Sequence, residues 1–229
     1  MSTIANNIAK VVARIREAAQ AAGREPSTVG LLAVSKTQPA SAVREAFAAG
    51  LADFGENYLQ EALEKQALLA DVPLTWHFIG PIQSNKTKPI AEHFAWVHSV
   101  DRLKIAQRLS DQRPAHLPPL NVCLQVNVSD EQSKSGCSES EARELVAAIS
   151  ALPRLRLRGL MCIPAPSDDA AVQRAAFARL RHLRDELDPC MDTLSMGMSQ
   201  DLEAAIAEGA TWVRIGTALF GARDYGRPQ

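Results

Sequence analysis

The sequence predicts an α/β fold: a single closed (β/α)8 barrel with an extra N-terminal helix. Three observations point there. Short apolar runs alternate with helix-like stretches about eight times along the chain, and such alternation implies parallel pairing through βαβ units. The 229 residues are a length at which α/β barrels form one domain, so residues 1–229 are read as one domain. The first apolar run ends in Ser35-Lys36-Thr37-Gln38-Pro39, with no GxGxxG and no Walker motif. An open doubly wound sheet, the structural alternative, usually carries a glycine-rich phosphate turn at that place.

The elements follow in order. MSTIANNIAKVVARIREAAQAAG sets Ile4, Ile8, Val11, Val12 and Ile15 on one helical face, the stripe of a packing helix. It has no signal-peptide apolar core. Its basic residues resemble those of a transit peptide, but Glu17 and Glu25 weigh against that. The strand candidates are VGLLAVSK from Val29, ADFGEN from Ala52, TWHFIG from Thr75, WVHSV from Trp96, NVCLQVNV from Asn121, LRLRGLMCI from Leu155, TLSMG from Thr193 and WVRIGTALFG from Trp212. Between them lie segments such as SAVREAFAAG and ESEARELVAAIS, rich in good helix formers at helical period. Ser129–Glu141, Arg113–Pro119 and Pro164–Asp168 read as loops.

Composition excludes several classes. Lys+Arg total 25 against Asp+Glu 26, a net charge of -1, so there is no basic excess to neutralise a nucleic-acid backbone. Aromatics at 5% also argue against a base-stacking platform. No apolar run approaches the ~18 residues of a membrane span. Cys123, Cys137, Cys162 and Cys190 form no CxxC pair, which reads as reduced thiols in a cytoplasmic protein. The five histidines, His77, His93, His98, His116 and His182, show no metal-ligand spacing, and no GxSxG elbow occurs.

Barrel chemistry sits at the C-terminal ends of the strands. Those ends carry Lys36, Asn57, His77, Ser99, Asn127, Met161, Ser195 with Gly197, and Arg214 with Gly216. Lys36 closes an apolar strand. It is either a Schiff-base amine, made nucleophilic by desolvation and nearby cations, or a lysine snorkelling out of the mouth. Ser195-Met196-Gly197-Met198-Ser199 leads into QDLEAAIAEG, and Ser199 reads as its N-cap. With Gly216 and Thr217 this favours a phosphate site after strands seven and eight. Asp201 would repel a phosphate unless its side chain points away. Arg214, inside the last strand, needs a ligand or a buried partner such as Glu56 or Asp53. His77 and His98 read first as core histidines.

Read together, LLAVSKTQP, DFGENYLQE, WHFIGPIQSNK, VNVSDEQSKSG, LRGLMCIP and LSMGMSQDLEAAIAEGATWVRIGTALFG resemble the pyridoxal-phosphate homeostasis protein family, the YggS/PROSC-like proteins, from Val29 to Gly221. That resemblance implies a TIM barrel like the N-terminal barrel of alanine racemase, holding pyridoxal 5′-phosphate (PLP). It makes Lys36 the internal-aldimine lysine, places phosphate at Ser195, Gly197, Met198, Ser199, Gly216 and Thr217, sets Arg214 against the pyridine nitrogen, and lines the pocket with Asn57 and His77. The family's usual second lysine is Gln38 here, which leaves Lys134 as another candidate amine. The function expected is that of a non-catalytic protein that holds PLP as a Schiff base and buffers or delivers it to apo PLP-dependent enzymes. It is expected to be a monomer, without nucleic acid, membrane or metal. A PLP-dependent amino-acid racemase is the competing reading. Against it, the racemase's second base is a tyrosine from another domain, whereas Tyr58 lies one residue past a strand end and Tyr225 in the tail. A cofactor-free Schiff-base aldolase or phosphosugar isomerase is a third.

Overall fold

The computed structural model describes residues 2–129, 135–188 and 190–221. Eight strands close a parallel barrel in the order β1 to β8, as the alternating pattern predicts. They are β1 (Gly30–Val34), β2 (Asp53–Glu56), β3 (Thr75–Phe78), β4 (Trp96–Val100), β5 (Leu120–Gln125), β6 (Leu155–Met161), β7 (Thr193–Ser195) and β8 (Trp212–Ile215). Each falls within its apolar run or, for β5, begins one residue before it. Closure is made by β8 on β1, with Leu32 opposite Arg214 and Gly30 opposite Trp212.

The helices are α1 (Thr3–Ala21), α2 (Ala40–Ala48), α3 (Leu59–Leu68), α4 (Thr87–His93), α5 (Leu103–Gln112), α6 (Glu139–Ser150), α7 (Ala170–Leu187), α8 (Leu202–Ala207) and α9 (Thr217–Phe220). Local chemistry starts several of them. Ser2 caps α1 by accepting the Ala5 N–H, and Asp169 caps α7 by accepting the Ala171 N–H. Ser138 and Glu141 form a reciprocal capping box at α6, so the polar stretch expected to run as a loop to Glu141 gives way to helix at Glu139.

Around the barrel, Phe54, Phe94 and Phe177 are fully buried between strands and helices. Each such side chain contributes on the order of 1.5–3 kcal/mol by leaving water. The stripe of α1 buries Ile8, Val11, Ile15 and Ala19, while Val12 stands 37% exposed at its edge. This helix packs on α8 and α9. Asn7 donates to the Leu219 carbonyl, and Arg14 pairs with Glu203 and reaches the Ser199 carbonyl. The extra helix thereby ties down the two segments that follow β7 and β8. Among the described residues no helix is long and apolar enough to cross a membrane, and no group of three His, Cys, Asp or Glu could hold a metal.

Candidate functional site

The last residues of β1, the turn after β2 and the segments after β6, β7 and β8 surround a cavity of about 740 Å³ at the C-terminal mouth of the barrel. Seven of the residues singled out from the sequence line it: Lys36, Asn57, Met198, Ser199, Arg214, Gly216 and Thr217. Val34 and Ile79 add apolar wall, and Arg14, Ile163, Pro164 and Gln173 line the rim. Arg14 comes from α1, Ile163 and Pro164 from the β6–α7 connection at the end of the LRGLMCIP motif, and Gln173 from α7; none of the four is singled out as a site residue in the sequence.

Lys36 is held between two braced neighbours. Ser35 donates its hydroxyl to Glu56 Oε1 at 2.6 Å, and its carbonyl accepts from Lys65 Nζ at 2.5 Å. Thr37 takes a left-handed backbone with φ 64°, which costs a β-branched residue energy, and its N–H donates to Glu61 Oε1 at 2.6 Å. Lys65 joins both carboxylates, bonding Glu56 at 2.7 Å and Glu61 at 2.5 Å. Glu56 is fully buried, and burial raises its carboxyl pKa against the pull of the Lys65 ammonium. A buried ion-pair network thus fixes the backbone on either side of the cavity lysine.

Arg214 is the buried cation of the site. Its Nη1 donates to Ser195 Oγ and its Nη2 to the Cys162 carbonyl, both at 2.9 Å. Neither partner is charged, so neither Glu56 nor Asp53 forms the direct ion pair open from the sequence. Burial lowers its pKa from the usual guanidinium value, yet a guanidinium stays protonated in proteins. Asn57 brings an orphan: its Oδ1 is buried and has no hydrogen-bond partner among the described residues. An unfilled acceptor and a cation whose two hydrogen bonds go to neutral groups, both lining one cavity, fit a small polar ligand that carries a donor and negative charge.

Three expected site residues stand elsewhere. His77 and Ser195 are fully buried and do not line the cavity, because they face into the barrel one level below its mouth. His77 stacks on Trp96 with ring centroids 5.5 Å apart and bonds Asp53 and His98. Ser195 bonds His98 and Arg214, so it sits beneath the guanidinium. Gly197 is also absent from the wall. At φ 93°, with space for a Cβ only 2.5 Å from the Ala205 Cβ, it turns the chain tightly against α8. Of the remaining strand-end residues, Ser99 donates to the Gly80 carbonyl, Met161 packs with Trp96 and Cys123, and Asn127 accepts the Ser129 N–H. Lys134 and Tyr225 lie outside the described residues.

The predicted cap of α8 also moves. Asp201, not Ser199, occupies the N-cap position, and its side chain accepts no hydrogen bond from the helix. Its Oδ1 accepts the Met198 N–H at 2.6 Å instead. That spends one loop donor and turns the carboxylate onto its own loop, although Asp201 still lines the cavity. Burial raises its pKa. Donors for an anion are left mainly to Ser199 and to the start of α9 at Gly216 and Thr217, where first-turn N–H groups have no intrahelical partner.

A lysine, a buried arginine and glycine-bearing loops at the mouth of a parallel barrel define a small-ligand-holding barrel of one known type. The family of alanine racemase N-terminal domains matches residues 6–224. Within it, the chain is 78% identical over 228 residues to the pyridoxal phosphate homeostasis protein of Pseudomonas aeruginosa, covering 100% of this chain and 99% of that protein. It is 55% identical to the protein of the same name from Escherichia coli, over 99% of this chain and 100% of that one. This chain belongs to the pyridoxal phosphate homeostasis protein family. PipY of Synechococcus elongatus, solved with PLP bound, superposes with a TM-score of 0.83 at 42% identity over 96% of this chain and 100% of that one. Alanine racemase from Bartonella henselae shares the fold alone, with a TM-score of 0.72 at 16% identity over 98% of this chain and 60% of the racemase.

Proposed function

We propose that this protein binds pyridoxal 5′-phosphate, with Lys36 as the Schiff-base lysine, and serves PLP homeostasis by buffering the aldehyde and passing it to apo-enzymes. One observation carries the reading: Lys36, the unfilled Asn57 acceptor, Arg214 and the Gly216–Thr217 turn converge on one cavity. When bound, the cofactor supplies an aldehyde for an amine and a pyridine ring that acts as an electron sink. The braced Ser35–Thr37 backbone holds Lys36 at the mouth, where its amine would meet the cofactor's aldehyde. Arg214, which stays protonated, would hold the ring nitrogen by a donated hydrogen bond and so keep that nitrogen unprotonated. Ser199, Gly216 and Thr217 offer hydrogen-bond donors to the phosphate.

The same residues favour storage over turnover. A two-base racemase needs a second proton acceptor opposite the lysine. No tyrosine appears among the described residues that line the cavity. Tyr58, the described tyrosine, is 55% exposed outside the cavity. We read the protein as a non-catalytic cytoplasmic monomer of one domain, whose partners are PLP and, transiently, apo PLP-dependent enzymes.

The test is the absorption spectrum of purified protein loaded with PLP, before and after borohydride, with peptide mapping of the reduced lysine. The expected result is a visible imine band, absent in Lys36→Ala, and a label on Lys36. An unchanged band in Lys36→Ala overturns the assignment. Pyridoxal binding as tightly as PLP removes the phosphate site.

A further inference from the structure

Beneath the cavity, three side chains link Arg214 to a carboxylate at the base of the barrel. Ser195 Oγ lies 2.9 Å from Arg214 Nη1 and 2.7 Å from His98 Nδ1. His98 Nε2 is 3.0 Å from His77 Nδ1, and His77 Nε2 is 3.1 Å from Asp53 Oδ1. Ser195, His98 and His77 are fully buried, whereas the Asp53 side chain is 32% exposed at the first residue of β2. We propose that Asp53, His77, His98 and Ser195 form a hydrogen-bond chain of single direction that sets the orientation of Arg214. They are positioning residues, acting on a ligand only through the guanidinium.

The direction follows from which atoms can donate. The Asp53 carboxylate only accepts, so it takes the proton on His77 Nε2. Burial pushes both histidine pKa values down, that of His98 well down, so each ring is neutral and carries one proton. His77 Nδ1 is therefore bare and accepts from His98 Nε2–H. His98 Nδ1 is bare in turn and accepts the Ser195 hydroxyl proton. That leaves a Ser195 lone pair facing Arg214, whose guanidinium only donates. Reversing the chain would set a bare His77 nitrogen against the Asp53 carboxylate. It would also point both the His98 proton and the Arg214 proton at Ser195 Oγ. Since the guanidinium keeps its proton, the chain conducts none; it orients. With the Cys162 carbonyl holding Nη2, two anchors fix the plane of Arg214 and leave its other donors for the cavity it lines.

The effect on PLP rests on the function proposed above; the chain itself does not. The test therefore has two arms. In histidine- and arginine-labelled protein without cofactor, NMR is expected to show both His77 and His98 as Nε2–H tautomers and a slowly exchanging Arg214 Nε–H. Asp53→Asn, whose amide can donate as well as accept, should mix the tautomers and broaden the Arg214 signal, while Asp53→Glu restores both. In the second arm, Asp53→Asn is expected to shift the absorption band of bound PLP and weaken its binding about threefold to tenfold, the worth of one hydrogen bond. A His98 Nδ1–H tautomer in the unaltered protein overturns the proposal. So does an Asp53→Asn variant whose tautomers and Arg214 signal are unchanged. Failure of the unaltered protein to take up PLP sinks the binding reading, and the first arm still decides the chain.

Discussion

The two neutral histidines inside the barrel make the fold acid-sensitive in a calculable way. Burial holds the His98 pKa well below its ordinary value, with the nearby His77 and the Arg214 cation adding to the shift. In the unfolded chain that histidine titrates near ~6.5. Below this pH the unfolded chain binds a proton that the folded one refuses, so stability falls as pH falls. Between about pH 7.5 and about pH 5.5 the loss is ~1.4 kcal/mol for a histidine that stays neutral when folded. His77 is shifted the same way by burial but is opposed by its bond to Asp53, so it adds less than His98. Glu56, Asp101 and Asp201 have raised pKa values and push in the opposite direction, since protonation suits their folded state. The difference between the protein and His98→Gln cancels those groups. Urea unfolding followed by tryptophan fluorescence at both pH values is the assay. The unaltered protein should lose about 1.4 kcal/mol more than the variant. Equal losses in the two would mean that His98 protonates in the folded state, and the argument would fail.

Other substitutions test other parts. Lys65→Met leaves the Glu56 carboxylate buried without its cation and should cost about 3–5 kcal/mol in urea unfolding. Gly197→Ala forces a Cβ onto Ala205 at a positive φ, so it should cost more than about 1 kcal/mol and weaken PLP uptake by shifting the loop after β7. Phe54→Ala empties a fully buried site between β2 and its helices and should cost about 3–5 kcal/mol with the PLP spectrum unchanged.

The barrel is legible in the sequence because its strands are buried apolar runs and its helices carry apolar stripes at helical spacing, both of which are local signals. The cavity is legible where its lining sits just past a strand end, as with Lys36, Asn57 and Gly216. It fails for His77 and Ser195 because alternation tells which residues face inward but not at what height. Height depends on the register around the whole barrel, a property of eight strands together. Ser199 was misread as a cap because two further residues of polar chain separate it from the helix, and Asp201 fills the position. The Glu56–Lys65 pair was half visible. Glu61 and Lys65 stand at i,i+4 on α3, but the third member arrives from β2. The chain from Asp53 to Arg214 draws on five strands, and no single segment hints at it.

The clasp between α1 and the far end of the chain sets a timetable. Arg14 is made 189 positions before its partner Glu203, and β1 must await β8 to close the barrel. A ribosome-bound fragment that stops soon after Lys36 therefore has the proposed Schiff-base amine but neither the guanidinium nor the loops that complete the mouth. Such a fragment meets the reactive aldehyde as any bystander protein would, with an ordinary lysine. On the reading proposed above, retention therefore waits until β8 has been made and drawn in against β1.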